Sequence, residues 1–502
     1  MAGFDEKALC YDIRINDTFE PDMTLNSIDI PKQLARMKQM LEEDKSPSDS
    51  FRIMVEIMVL IIELLLNQRT LNSKNSSKPP STDGVTGNNK KKSSGRKPGG
   101  QPGHQGSTLK KSDEPDDIKT LNVNRQTLPK GITYWQVGTE NRQVVDIVFQ
   151  RHITEYQAEI LQDEQGNRYV APFPDGVTQP VQYGNEIKAH VVYLSQYQLL
   201  PYQRIQDYFV SQLDIPLSQG SIANFIQQAA SRLETTGYLQ TARQVLSDAE
   251  LLHADETGVN IGGERQWLHC ASNDKWTYFT VHKKRGFDAM EAADILPSFN
   301  GILCHDHWKT YFRFNCLHAL CNAHHLRELT RAYEQDEQQW AGRMHALLNI
   351  INRATHQAGG VLSEADQQKY LKYYRRILQA GEKACPPPLP LLKNKPGRLK
   401  RSKARNLLER LRDYQNEVLR FMGDSRVPFT NNQGERDIRM TKVHQKISGC
   451  FRSKEGAESF CAIRGYLSTC SKQNVSASDA LRLLFKNELP EFCPDGRKLI
   501  RE

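Results

Sequence analysis

The stretch L-L-H-A-D-E-T-G, residues 251 to 258, starts as a buried strand and runs into two acids and a glycine. Leu251 and Leu252 suit an apolar core. Asp255 and Glu256 do not, because an unpaired carboxylate is costly to bury. Either the strand delivers an acid to a site or it ends in a polar turn, and the octapeptide alone leaves both open. Working outward, W-L-H-C-A-S at 267–272 and W-T-Y-F-T-V at 276–281 read as two more strands of a meander. A helix over Ala289 to Leu296 and a fourth short strand, G-I-L-C-H-D at 301–306, follow. After them nothing reads as strand, and residues 317–420 are almost all compatible with helix.

The fourth strand also runs into an acid, Asp306, within C-H-D-H-W. Neighbouring strands are about 4.8 Å apart, so two strands of one sheet would set these carboxylates a few ångströms from each other. Such a pair repels unless something positive lies between, and hard, oxygen-seeking Mg²⁺ or Mn²⁺ fits. Two ions of this kind suit phosphodiester chemistry, one activating the attacking oxygen and one stabilising the leaving oxygen. A third acid usually completes such a site. T-N-N-Q-G-E-R-D-I-R at 430–439 offers Glu435 at the start of a helix, with Arg436 and Arg439 three apart on one face.

The bulk composition bounds the setting. A chain of 502 residues is too long for one core and implies three or more units. The early residues M-A-G-F-D-E-K lack signal-peptide character. The one apolar run, Ile53 to Leu66, carries Glu56 and Glu63 and is too short and charged to span a membrane. Ten cysteines without a regular framework suit a reducing compartment, so a cytoplasmic protein is expected.

Charge is more telling. The net charge is +8, and residues 74–111 hold nine Lys/Arg against Asp83 alone, so that segment carries the whole excess. A localised basic tract, with Lys90, Lys91, Lys92, Arg96 and Lys97 at its centre, reads as a polyanion contact; a solvated linker is the competing reading. Its Gly, Pro, Ser and Lys content cannot build a core, so a disordered tether is expected.

The remaining organisation follows from periodicity. Residues 1–72 form an N-terminal region in which Ile30 to Leu71 reads as an amphipathic, zipper-like helix, a coiled-coil seam for a homo-oligomer or one arm of a hairpin. The tether covers 73–112. Alternating runs at 143–149 and 168–171 read as a small β unit within 113–183. A helical DNA-binding or connecting region spans 184–250, where S-Q-G-S-I-A-N-F-I at 218–226 looks like a capped helix start of a type that also occurs in helix-turn-helix readers of DNA. The sheet occupies 251–330, a helical insertion 331–425, the final acidic helix 426–485 and a tail 486–502.

H-A-D-E-T-G, the H-D-H-W strand end, C-N-A-H-H-L-R-E-L at 321–329 and T-N-N-Q-G-E-R-D-I-R together resemble the transposases of the insertion-sequence-66 type, over about residues 30 to 485. The resemblance implies an α/β, ribonuclease H-like catalytic core with an α-helical insertion. It also implies a DDE triad of Asp255, Asp306 and Glu435 holding two Mg²⁺ or Mn²⁺ ions. Asp424 is a weaker substitute for the third acid, and Glu256 and Asp437 should point elsewhere. The implied activity is metal-dependent cleavage at the terminal inverted repeats of an insertion sequence, then strand transfer into target DNA. Arg436, Arg439, Lys442 and Lys446 would contact phosphates, and accessory proteins of the same element are conceivable partners. A catalytically idle relic that only binds DNA and a stand-alone nuclease are the competing functions.

Two stretches bear on zinc, the first of them a departure from the family. The family carries a cysteine-rich, zinc-ribbon-like unit after the tether, yet residues 113–183 contain no cysteine and only His152, so no zinc is expected there. The run from Cys316 through Cys321 to His324 and His325 has a spacing that could bind zinc. A helix-packing role for Cys321 and His324 is the favoured reading.

Overall fold

The computed structural model of the chain describes residues 111–148, 150–387 and 401–493, with scattered positions between 24 and 109. The tether lysines and arginines Lys90 to Lys97 and most of the expected zipper lie outside the described residues. Of that zipper, Met54, Val55, Ile57, Met58, Val59 and Ile62 are helical, with Val55 and Val59 buried.

The chain forms two compact units. One comprises Met1–Gly87, Leu326–Ala346 and Ile377–Leu408, the other Asn88–His325, Leu347–Arg376 and Glu409–Glu502. Within the first, Arg405 pairs with Glu382, and Gly381 lies where a Cβ would strike Leu408 and Trp340. The second holds the sheet and the acids.

Two short strand pairs come first: β1 (Thr24–Leu25) with β2 (Ile28–Asp29), and β3 (Ile160–Gln162) with β4 (Arg168–Val170). The expected strand at 143–149 does not form over its described residues. Val144, Val145, Ile147 and Val148 are exposed there, and alternation without a partner strand or a face to bury carries no stabilisation.

Helices α1 (Asn185–Val192), α2 (Tyr202–Leu213), α3 (Gln219–Thr235) and α4 (Tyr238–Ser247) precede the main sheet. Ser218 caps α3 by accepting from the Ser221 amide, and Ile222, Phe225, Ile226, Ala229 and Leu233 bury its inner face. That face is spent on the core.

The main sheet comprises β5 (Leu251–Ile261), β6 (Glu264–Ser272), β7 (Thr277–His282), β8 (Ile302–His305) and β9 (Leu317–Leu320), in the order β7-β6-β5-β8-β9. Strands β5, β6 and β7 are antiparallel neighbours, whereas β8 and β9 run parallel to β5. Gly262 and Gly263 both have positive φ (59° and 88°), as a two-residue hairpin of the right twist requires.

Three boundaries differ from the sequence reading. β5 does not stop at Glu256 but continues to Ile261, because Val259 and Ile261 are buried. The helix between β7 and β8 is α5 (Phe287–Ala292), ended early by Asp294 in a left-handed conformation (φ 55°). β9 was read as helix; its four residues are too few to show a period, and His318, Ala319 and Leu320 are buried by pairing with β8.

The later helices are α6 (Asn322–Glu334), α7 (Gln339–Gln357), α8 (Glu364–Ala384), α9 (Lys403–Asp413), α10 (Gln415–Leu419), α11 (Asn432–Ser448), α12 (Lys454–Lys472) and α13 (Ala477–Phe485). Val259, Leu268, Cys270, Phe279 and Val281 alternate onto one sheet face, where α11 and α12 cover them through Ile438, Ala457 and Phe460. Helix α12 can lie this close because residue 465 is glycine: a Cβ there would meet the Thr277 carbonyl at 3.1 Å. No described helix is long and apolar enough to cross a membrane.

Candidate active site

The parallel pairing of β5 with β8 sets the first two acids. His253 partners Cys304, and continuing that register by two residues places Asp255 beside Asp306 on the same face. Asp255 therefore lies inside β5, and Asp306 stands one residue beyond β8. At His307 the chain turns away with φ at 74°, and the Asp306 carboxylate accepts from the Trp308 amide at 3.2 Å. A non-glycine residue held left-handed costs about 1–3 kcal/mol, and this one fixes where the strand ends.

The carboxylates share one field. Burial pushes the Asp255 carboxyl up to about 7, and the charges of Glu256, Asp306 and Glu435 push the same way.

Glu435 comes from the first turn of α11. That helix is held by Asn431, which is only 2 % exposed. Its side-chain amide donates to the Ala254 carbonyl at 2.9 Å, and its side-chain oxygen meets Nδ1 of His253 at 2.7 Å. Its backbone amide donates to Cys321 Sγ at 3.1 Å. Asparagine at a helix start usually caps the helix with its side chain; here the side chain is spent on the strand instead. In the sequence Asn431 carries no mark beyond its place ahead of the Glu435 helix.

The other acids are engaged elsewhere. The buried Glu256 carboxylate accepts from Arg285 at 2.5 Å and from the Tyr311 hydroxyl at 2.5 Å. Asp437 pairs with Lys472 at 2.7 Å, with both side chains largely buried. Asp424 is held by Arg426 at 2.7 Å, which draws its carboxyl below the usual range.

Cys321, His324 and Glu435 form a second cluster, their ligand atoms all within 4.8 Å of one another. Burial lowers the His324 imidazole, but the Cys321 hydrogen bond and the charges of Cys321, Glu435 and Asp306 outweigh it and hold it at about 9. Cys316 lies instead beside His318, with Sγ 4.0 Å from Nε2. The zinc set suggested by sequence spacing, with Cys316 in it, is therefore not the cluster that forms.

Arg436, Arg439, Lys442 and Lys446 are exposed along α11. Lys442 Nζ donates to the Gly258 carbonyl at 3.3 Å. An Arg–Trp stack that sequence reasoning missed lies near Glu256. The Arg285 guanidinium sits 4.1 Å from the Trp308 ring and 4.8 Å from Trp267, and Arg265 lies 4.9 Å from Trp267. Arg265 and Trp267 lie on β6, Arg285 just beyond β7 and Trp308 after Asp306, and the pairing of Trp267 with His282 and the turn after Asp306 bring them together.

No curated protein matches the chain. A family model described as a family of unknown function (DUF6444) matches residues 33–110. A model described as Transposase IS66 family matches residues 180–459, more than half of the chain, from the helices before the sheet to the start of α12. That span includes Asp255, Asp306, Asn431 and Glu435, and the chain belongs to the IS66 family of transposases.

Proposed function

We propose that this chain is a DDE-type transposase on a ribonuclease H-like core, with Asp255, Asp306 and Glu435 as its acidic triad. It binds the terminal inverted repeats of an insertion sequence, cuts at their ends and joins them to target DNA. One observation carries the reading: acids remote in the chain share a single electrostatic neighbourhood, with Asp255 held at about 7 by burial and by its acidic neighbours. The strand order β7-β6-β5-β8-β9, with β6 antiparallel and β8 and β9 parallel to β5, supports the same core.

Membership of a transposase family implies a DNA-processing enzyme, which would use a divalent metal. The donors fit hard cations: three carboxylates, with Asp255 destabilised by its like-charged neighbours. When bound, two Mg²⁺ or Mn²⁺ ions supply an activated attacking oxygen and charge neutralisation at the leaving oxygen. The chain supplies alignment. The sheet register fixes Asp255 against Asp306, Asn431 fixes the helix that carries Glu435, and the α11 cations Arg436, Arg439, Lys442 and Lys446 bind phosphates without reading sequence. In cleavage, water forms a bond to phosphorus as the bond to the 3′-oxygen breaks, freeing a 3′-hydroxyl. In transfer, that hydroxyl's oxygen bonds to a target phosphorus as the target strand's own phosphorus–3′-oxygen bond breaks, and the displaced 3′-oxygen leaves as a hydroxyl. No covalent protein–DNA bond is required.

The test uses Asp255→Asn, Asp306→Asn and Glu435→Gln on a supercoiled plasmid carrying the repeats. Each variant should bind the repeats as the parent does and lose cleavage in Mg²⁺ or Mn²⁺. Parent-like cutting by any one removes that acid from the site.

A further inference from the structure

Glu435 faces a second set of neighbours that the cutting reaction does not use. Nδ1 of His324 stands 3.8 Å from Oε1 of Glu435 and makes no hydrogen bond. Cys321 Sγ completes a set whose members all lie within 4.8 Å of one another. In a tetrahedral site with ordinary Zn–S, Zn–N and Zn–O bonds the ligand atoms stand about 3.5 Å apart. An adjustment of about an ångström, within reach of rotamer changes in His324 and Glu435, would close the set.

The scaffold under it is buried and hydrogen-bonded. Cys321 is 1 % exposed, its amide donates to the His305 carbonyl at 2.9 Å, and its sulfur accepts the Asn431 amide. An N–H···S bond of that kind orients a sulfur ligand. A sulfur, an imidazole nitrogen and a carboxylate oxygen are a poor set for Mg²⁺, which takes oxygen, and a good one for Zn²⁺, with one position left for water.

We propose that Cys321, His324 and Glu435 form a binding site for a thiophilic divalent cation, Zn²⁺ by its donor set, and that filling it withdraws Glu435 from Asp255 and Asp306. The first half stands on this cluster alone; the second rests on the acidic triad proposed above. The two sites share one carboxylate, so free Zn²⁺ opposes Mg²⁺-dependent cutting.

The experiment is a titration of the full-length protein, free of other metals, with Co²⁺ as the spectroscopic stand-in. The expected result is a thiolate-to-cobalt charge-transfer band with tetrahedral visible bands, saturating at one ion per chain and bleached by Zn²⁺. Cys321→Ser should remove the charge-transfer band, His324→Ala should weaken Co²⁺ binding about tenfold or more, and Cys316→Ser should retain both. Absence of the band, or a band that survives Cys321→Ser, overturns the proposal. If Cys321→Ser fails to fold, His324→Ala decides, because unchanged Co²⁺ affinity there is equally fatal. Asp255→Asn and Asp306→Asn lie outside the set and should keep the spectrum. A normal spectrum in a protein whose Asp255→Asn form still cuts DNA would defeat the triad and not the cluster. No spectrum in a protein whose acid variants are all inactive would defeat the cluster and not the triad.

Discussion

Asn431 donates its side-chain amide to the carbonyl of Ala254, 2.9 Å away, and so ties the start of the Glu435 helix to the residue before Asp255. The same side chain holds His253, and its backbone holds Cys321. Asn431→Ala should lower stability by about 2–3 kcal/mol, since it leaves buried groups without partners. It should also reduce metal-dependent cutting more than repeat binding. Thermal unfolding and plasmid nicking measure the two effects, and parent-like nicking would show that the helix needs no such pin.

Acid should weaken metal binding. The Asp255 carboxyl, ordinarily at 3.8, is held at about 7 when no ion is present. Its folded-state value is raised, so it favours the folded state in acid, and that contribution is lost as pH rises from 3.8 through about 7. A bound cation needs the carboxylate and must displace the proton below that range. The rise in melting temperature on adding Mg²⁺ should therefore be small near pH 5.5, grow through about pH 7 and level off near pH 8. Asp255→Asn should flatten the profile, and a parent whose Mg²⁺ response ignores pH would contradict the argument.

Asp437 should prove structural although it lies two residues from Glu435. Its carboxylate meets Lys472 Nζ, which also donates to the carbonyls of Asn273 and Trp276 and to Oγ1 of Thr277. Asp437→Asn should cost about 2 kcal/mol, as expected for a charge-assisted bond shielded from water. At temperatures where it stays folded it should cut DNA, whereas Glu435→Gln should not. Loss of cutting without loss of stability would return Asp437 to the list of candidate acids.

Arg285 neutralises Glu256, whose side chain is only 1 % exposed. Arg285→Ala leaves that carboxylate with Tyr311 as its remaining charge-stabilising donor and should destabilise the fold by about 2 kcal/mol at neutral pH. Burial and Asp306 raise the Glu256 carboxyl, so the penalty should shrink in acid as Glu256 takes a proton. Denaturant melts at neutral and mildly acidic pH would measure it, and an equal loss at both would mean that packing on Trp267 and Trp308 is what the variant removes.

Much of the sheet was legible because alternation and strand ends are local signals. Leu251 and Leu252 ahead of Asp255, and Ile302 to Cys304 ahead of Asp306, mark core strands that lead into acids. What escaped the sequence depends on partners far along the chain. β9 is visible only through its pairing with β8, and the run at 143–149 shows the reverse, a pattern whose described residues pair with no strand among the described residues. Asn431 reads as an ordinary helix start until Ala254 and His253 are seen against it. Likewise, spacing groups Cys321 with Cys316, whereas folding groups it with Glu435 from over a hundred residues away. Asp255 and Asp306 declare themselves through one sheet, while Glu435 depends on how a later helix docks.

The order in which those pieces arise has a consequence during synthesis. Asp255 and Asp306 leave the ribosome with the sheet, but α11 is translated more than a hundred residues later, and α12, which covers the sheet beside it, later still. On the triad proposed above, a nascent or truncated chain that stops before α11 holds Asp255 and Asp306 and lacks Glu435. If the proposed triad is the catalytic one, chains cut short by premature termination would be unable to cut DNA.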